Sequence, residues 1–480
     1  MSESLMSLEE LLSATKGTLL GKVKSCVFNS VATDSRQVQK NTLFVPLVGE
    51  FQDGHKYVPG AVAAGASVVL INKSEYEKNS SVYDSLTAEN ENLVIICVEN
   101  TLHGLQDAAE GYVAKFPKLI KVSITGSCGK TTTKEMMVSV AKAHFGEDKV
   151  VYTKGNFNSE TGLPLSVFQI RANHVVGIFE LGMNRVDEIG EISKVLKSKY
   201  GIITNIGNAH IGILGSRENI ALEKRKSFNY IPADGACFVP SSDDFADFCT
   251  ENVKGKVVKF PYENDGVVFV SDNGLFGSTF TVDGVEVNLP LSGAYNYTNA
   301  LGVIACAKEL GIGAEEIKSG LENMAAVSGR MEIKKMALKN GANIMLVKDC
   351  YNANPDSMKK SVEFCSGLKD VGKKIFVLGD MKEMGAESVK AHTELGEEVK
   401  ASGADYVYLV GNEIECAYEV LTKINDKSAM WFEQKGEETF NQISADINSY
   451  AKEGDVILLK GSHSMELEKL IPLMAGGEEK

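Results

Sequence analysis

Residues 122 to 135 read Val-Ser-Ile-Thr-Gly-Ser-Cys-Gly-Lys-Thr-Thr-Thr-Lys-Glu. Glycines that close on a lysine and a threonine make a phosphate-binding combination. Gly126 and Gly129 let backbone N–H groups approach an anion, and a helix opening at Lys130 adds the positive end of its dipole. Lys130 can reach β and γ phosphates, and the Thr131 hydroxyl can hold Mg²⁺. Ser127 and Thr132 complete the same loop. The usual form, G-x-x-x-x-G-K-[ST], spaces its glycines more widely. Here they stand three positions apart.

A carboxylate and an imidazole follow on the same unit. Glu180 ends the apolar run Val175–Phe179, and His210 ends the loop Asn205-Ile-Gly-Asn-Ala-His210 after Tyr200–Thr204. With Thr131 they form an oxygen and nitrogen shell suited to Mg²⁺. Taken singly, Glu180 reads equally well as a solvated strand-end acid, and His210 as a loop histidine bonded to backbone. Asn156 and Asn158 precede a Gly-Leu-Pro turn. Asn296 and Asn299 lie three apart at the start of an alanine-rich helix and so share one face, where helix capping is the competing role. Lys224 stands in Ala221-Leu-Glu-Lys-Arg-Lys226, a charge run that by spacing alone reads as a solvated helix face.

The elements that must hold these residues alternate between strand and helix. Leu43–Val48, Ser67–Ile71 and Leu93–Val98 read as strands of a first unit, residues 1–99, with Asn72–Asn92 as a polar loop. From 100 to 326, strand candidates Ile120–Ile124, Val175–Phe179, Tyr200–Thr204 and Cys237–Val239 alternate with helices. That pattern predicts a parallel, doubly wound sheet whose ligands gather at the strands' carboxyl ends. Val257–Leu291, with Asn273-Gly and Asp283-Gly turn signals, predicts a small β insertion. The pattern restarts over 327–480 with Ile344–Val347, Ile375–Leu378, Tyr406–Val410 and Val456–Leu459, a second α/β unit. The fold class expected is therefore α/β in three domains.

Composition narrows the function classes. A chain of 480 residues that is 44% hydrophobic and 24% charged can bury several cores. The net charge of −14 speaks against a nucleic-acid partner or an anionic membrane surface. Nine cysteines without a C-x-x-C pair predict neither a disulfide framework nor a zinc site, and a reducing cytoplasm fits them. Met1–Leu12 lacks the basic and apolar regions of a signal peptide, and Gly60–Ile71, the longest apolar run, is too short to span a bilayer. A cytoplasmic monomer is expected.

The glycine loop, Glu180, the Asn205–His210 loop, Asn296, Asn299 and Gly329-Arg330 together resemble the Mur ligases, ADP-forming amide ligases of peptidoglycan synthesis. The runs Gly155–Leu165, Asp349–Met358, Val377–Met381 and Leu459–Met465 are similar to the branch that adds D-alanyl-D-alanine to a UDP-N-acetylmuramoyl-tripeptide. Asp34-Ser35-Arg36, Leu43-Phe44 and Asp53-Gly-His55 belong to the same pattern, and the resemblance spans nearly the whole chain.

The resemblance implies a UDP-binding N-terminal domain, a central ATPase domain and a Rossmann-like C-terminal domain. It implies that ATP converts the peptide carboxylate to an acyl phosphate, which an amine then attacks. Lys130 would stabilise the transferring phosphoryl group, Thr131 and Glu180 would bind a first Mg²⁺, and His210 a second. Lys224 would become a carbamate with CO₂ and serve as an anionic metal ligand, which replaces the solvated-face reading; Arg225 and Lys226 depart from the family's usual small residue and Glu. Asn296 and Asn299 would contact adenine, with Arg330 and Asp349 closing over the nucleotide. Ser35, Arg36, Asp53, His55, Asn156, Asn158, Asn352 and Asn354 would bind the substrates. Cys128 varies within the family, with packing or a reactive thiol as its two readings, and His463 stands where Arg is common. Three other readings compete, one of them a catalytically silent UDP-sugar binder, against which Lys130, Thr131, Glu180 and His210 all stand. A ligase adding the third residue would carry Asp-Asn-Pro where this chain has Asn352-Ala-Asn-Pro355. A GTPase-like switch would need Asn-Lys-x-Asp, and the nearest run, Asn72-Lys-Ser-Glu75, ends in Glu.

Overall fold

The computed structural model describes residues 4–23, 25–324, 328–422 and 428–477, so the expected 326/327 domain boundary lies outside the described residues. Within them the chain builds four sheets. The first orders Thr18–Leu20, Val94–Val98, Ala66–Asn72, Thr42–Phe44 and Ser30–Ala32, all parallel except its first strand. Runs such as Val94-Ile-Ile-Cys-Val98 are apolar at nearly every position because both faces of a parallel sheet are covered.

The second sheet is fully parallel: Lys256–Phe260, Ala236–Pro240, Tyr200–Ile203, Ile120–Thr125, Val176–Glu180 and Val150–Tyr152. Strand order reverses at Ile120–Thr125, where Ile124 pairs with Glu180 on one side and Ile202 on the other. The crevice of a doubly wound sheet opens at such a point. The glycine loop, Glu180 and the Asn205 loop therefore leave three adjacent strands at one level. Val267–Asp272, Ser278–Val282 and Val285–Leu289 form the small antiparallel insertion. It starts later than the sequence suggested, because Val257 belongs to the edge strand of the central sheet. Asp283 and Gly284, both at positive φ, make its tight turn.

The last sheet runs Glu332–Ala337, Asn343–Asp349, Val456–Lys460, Lys374–Gly379, Tyr406–Val410 and Ala429–Phe432, with only the first strand antiparallel. Asn72–Asn92, expected as a loop, is largely the helix Lys73–Glu89. Tyr83 is buried against the first sheet, with Tyr76 and Leu86 packed beside it, a sparse stripe that the surrounding polar residues hide. The helix Thr101–Ala114 joins the first two units, and one apolar cluster runs through Leu70, Leu105, Tyr112, Phe168 and Ile192. Ile211, Leu275 and Tyr295 of the central unit pack on the C-terminal core. No helix among the described residues is long and apolar enough to cross a membrane.

Candidate active site

Gly126 (φ +151°) and Gly129 (φ +85°) turn the chain from strand Ile120–Thr125 into helix Lys130–Phe145. Neither position accepts a side chain. A β-carbon on Gly126 would lie 1.9 Å from Thr204 Oγ1, and one on Gly129 would lie 2.8 Å from both amide atoms of Asn299. The Asn205 segment pins the loop: Ser127 N–H donates to Asn205 O (3.0 Å), Cys128 N–H to Asn205 Oδ1 (3.1 Å) and Gly207 N–H to Ser127 Oγ (2.8 Å). The Thr133 N–H bond to Gly129 O (2.8 Å) opens the helix ladder, so the amides of Lys130, Thr131 and Thr132 precede it and face outward at the positive helix end. Lys130 Nζ donates to Gly126 O at 2.8 Å. Burial lowers the Lys130 pKa, against the opposing pull of Glu180 and Cys128.

Glu180 is 1% exposed. Its Oε1 accepts from Asn158 Nδ2 at 2.7 Å, while Oε2 has no hydrogen-bond partner among the described residues. Across the crevice His210 adopts a left-handed backbone (φ +67°), and its buried Nδ1 likewise has no hydrogen-bond partner. Glu383 Oε2 lies 3.5 Å from that nitrogen, an ion-pair distance without hydrogen-bond geometry. Burial lowers the His210 pKa; Glu383 opposes the shift, and Lys130 and Lys224 add to it. Lys224 is 1% exposed on helix Arg217–Arg225, and its side chain forms no hydrogen bond or ion pair among the described residues. Burial first, and then Lys130, push its pKa well below the ordinary lysine value. Its neighbour Glu223 anchors the helix by accepting from the N–H groups of Asp187 and Ile189, both at 3.0 Å, and from Lys226 at 2.6 Å.

The opposite wall combines the central and C-terminal units. Asn296 Nδ2 donates to Ser292 O (2.8 Å) and Asn299 Nδ2 reaches Asn296 Oδ1 (3.4 Å). Gly293 occupies the N-cap, so neither asparagine caps the helix. Arg330 lies 4.1 Å over the Tyr351 ring. Asp349 accepts from Lys460 (2.9 Å), Ser361 Oγ (2.7 Å) and Met331 N–H (3.2 Å). Together these surfaces enclose a cavity of about 740 Å³, lined by Lys130, Glu180, His210, Asn299, Arg330 and Lys460 among others.

Three family models match the chain: the Mur ligase catalytic domain over residues 27–112, the Mur ligase middle domain over 124–307, and the Mur ligase glutamate ligase domain over 329–463. The chain belongs to the Mur ligase family. The UDP-N-acetylmuramoyl-tripeptide--D-alanyl-D-alanine ligase of Treponema pallidum is 38% identical over 98% of this chain and 99% of its own length. The Bacillus subtilis ligase of the same name is 31% identical over 97% of each chain. The crystal structure of MurF from Acinetobacter baumannii superposes with a TM-score of 0.83 at 26% identity, covering 98% of both chains. The three-domain α/β architecture expected from the sequence is the one these Mur ligases share.

In this Mur ligase, Gly129, Lys130, Thr132, Ser127, Glu180, His210, Asn156, Asn158, Asn296, Asn299, Arg330, Asp349, Asn352 and Asn354 line one cavity. Thr131 and Lys224 are buried beside that surface and do not line it. Ser35, Arg36, Asp53 and His55 lie in the N-terminal unit, away from it. His55 is not free to meet a ligand with its ring. Nδ1 bonds Asp53 Oδ1 at 2.6 Å and Nε2 accepts from Asn72 N–H at 3.0 Å, so the side chain holds the Asp53–Tyr57 turn. Asn354 Oδ1 caps helix Pro355–Gly367 by accepting from Ser357 N–H at 2.9 Å. Lys460, Tyr295, Asp356 and Glu383 were not singled out by sequence. Lys460 ends a strand just as Glu180 does, and that position was the available signal.

Proposed function

We propose that this chain is the ATP-dependent, ADP-forming ligase that joins D-alanyl-D-alanine to UDP-N-acetylmuramoyl-tripeptide, the last cytoplasmic peptide-building step of the peptidoglycan precursor. The observation that carries it is 38% identity over 98% of the chain to a ligase of that name, with Ser127, Gly129, Lys130 and Thr132 of the glycine loop lining the cavity. In this reading the tripeptide carboxylate attacks the γ-phosphorus of ATP, the bond to the β-phosphate oxygen breaks, and ADP leaves. The dipeptide amine then attacks the acyl carbon, and inorganic phosphate departs.

The carboxylate and the triphosphate repel, so the site must place positive charge between them. The outward amides of Lys130, Thr131 and Thr132 and the Lys130 ammonium supply charge on the phosphate side. Glu180 Oε2 is buried without a hydrogen-bond partner and so fits a Mg²⁺ ligand better than a structural role, while His210, with Glu383 on its Nδ1 side, keeps Nε2 for a cation. Among the described residues no cluster of three His, Cys, Asp or Glu stands ready for a metal. A Mg²⁺ shell here would therefore draw on Thr131 and on substrate or water oxygens. Bound Mg²⁺ would supply Lewis-acid charge at the phosphates. Asn158 fixes Glu180 so that only one carboxylate oxygen is open. Burial shifts Lys224 toward the neutral amine, the form that adds CO₂, which supports its carbamylation and a role as an anionic ligand beside His210. Asn296 and Asn299 would face the adenine. Arg330 and Asp349 would close over the nucleotide, and Asn352, from the same unit, would help exclude water from the acyl phosphate. Asp53 and the turn held by His55, with Ser35 and Arg36, would bind the UDP end. All these residues come from one chain, so a monomer suffices.

ADP release should require the UDP-tripeptide and D-alanyl-D-alanine together. Equal release with a UDP-dipeptide and L-lysine or meso-diaminopimelate would assign the chain to the third-residue step instead.

A further inference from the structure

The loop from Asn205 to Gly212 belongs to the central unit, yet the C-terminal unit grips it in three places. Asp356, in the first turn of helix Pro355–Gly367, accepts from Asn208 N–H at 2.6 Å and from Asn208 Nδ2 at 3.2 Å. The approach is so close that a β-carbon on Gly207 would lie 2.2 Å from Asp356 Oδ2. Backbone of residues 383–385 covers Gly212, where a β-carbon would lie 2.5 Å from Glu383 O and 2.6 Å from Met384 C. Ile211, between them, packs on the C-terminal core.

His210 sits inside this grip. Its left-handed backbone (φ +67°) is one that a non-glycine residue keeps only where its surroundings impose it. Glu383, itself at φ +68°, brings its carboxylate to 3.5 Å from His210 Nδ1. Asp356 and Glu383 make no other side-chain hydrogen bond or ion pair among the described residues. Two carboxylates are thus committed across the unit boundary to the one loop that carries His210. General adhesion between units would not require glycines at both points of closest approach on that loop.

We propose that Asp356 and Glu383 are positioning residues. Docked against Asn208 and Gly212, they fix the backbone on which His210 is aimed, so the cation site at His210 is complete only while the C-terminal unit is docked. This inference rests on His210 being a metal ligand. Groups that orient a metal ligand from behind commonly control affinity for the metal by about 10- to 100-fold.

Mn²⁺ binding to the full chain in the presence of ADP, followed by electron paramagnetic resonance, tests it without turnover. His210→Ala should weaken binding of one Mn²⁺ equivalent. The double variant Asp356→Ala/Glu383→Ala should weaken the same equivalent by about 10- to 100-fold, with metal-free ADP affinity unchanged. Asp356→Asn, which keeps an oxygen for Asn208 N–H, should recover most of the Asp356→Ala loss. Gly207→Ala guards against general unfolding: its methyl should weaken Mn²⁺ binding in the wild-type background, and Asp356→Ala should relieve that effect. Wild-type Mn²⁺ binding by the double variant, alongside loss in His210→Ala, would overturn the positioning role and leave the His210 reading standing. Normal Mn²⁺ binding by His210→Ala would overturn both.

Discussion

Gly129→Ala tests whether the nucleotide site depends on contact between the phosphate loop and the helix that carries the asparagines. The new β-carbon would lie 2.8 Å from Asn299 Nδ2 and Oδ1 and 3.1 Å from Cγ. Contacts of that length force a shift, and Asn299 has little room to retreat, because it is buried and its amide reaches Asn296. The backbone contributes separately: φ is +85°, and a left-handed conformation costs alanine about 1–2 kcal/mol. Overpacking adds about 1–3 kcal/mol. If most of this falls on the bound state, ADP affinity should drop by roughly 30- to 1,000-fold, since each 1.4 kcal/mol is about a factor of ten. Titration calorimetry with ADP measures it. Gly155→Ala is the control, because Gly155 is also at positive φ (+54°) but has nothing within 4 Å of its β-position. It should show only the backbone cost. Removing the obstacle in Gly129→Ala/Asn299→Ala should recover the collision part, so the two substitutions should be clearly non-additive. Wild-type ADP affinity in Gly129→Ala, or strict additivity in the pair, would refute the argument.

Three further outcomes are expected. Lys224→Ala should lose ADP release that bicarbonate cannot restore, and Lys224→Glu should retain a little; unimpaired Lys224→Ala would exclude the carbamate. The same lysine should limit stability: its folded pKa is depressed by burial, so between that value and the ordinary lysine pKa the unfolded chain holds more protons, and stability rises with pH. Lys224→Met in bicarbonate-free buffer should therefore melt higher than wild type at neutral pH, with the difference shrinking as pH rises. Lys460→Met should cost about 3–5 kcal/mol in urea unfolding, because it strands the buried Asp349 carboxylate. Lys460→Met/Asp349→Leu should recover much of that loss, and an unchanged midpoint in the single variant would show the pair to be energetically idle.

What the sequence displayed was what local chemistry writes. The glycine loop is one uninterrupted strand, turn and helix, and Glu180 and His210 each follow a strand that is apolar throughout, so a reader needs no partner residue to place them. Lys224 was different. Its flanking charges place the run in solvent, but the helix is turned inward by Glu223, whose carboxylate serves amides more than thirty residues away, at Asp187 and Ile189. His55 was misleading for the same reason: the nitrogen that could bind a ligand is taken by the Asn72 N–H, contributed by the strand Ala66–Asn72. Short edge strands such as Val150–Tyr152 offered too few residues for any periodicity.

The electrostatics of the cavity explain why one site needs pieces from two units. Lys130, Lys224 and His210 are each pushed toward neutrality by burial, and the two lysines depress His210 further. Against them the central unit sets Glu180, with one oxygen already bonded to Asn158. Left alone, that arrangement disfavours its own charged forms, which makes it receptive to an anion and poor at holding a settled structure without one. At the His210 loop the C-terminal unit answers with carboxylates: Glu383 at His210 and Asp356 at the Asn208 amide. Docking therefore trades solvent for negative charge and hydrogen bonds at the loop that most lacks them. The same carboxylates thus hold His210 in place once the units meet. Assembly of the site and closure of the chain are, on this reading, a single event.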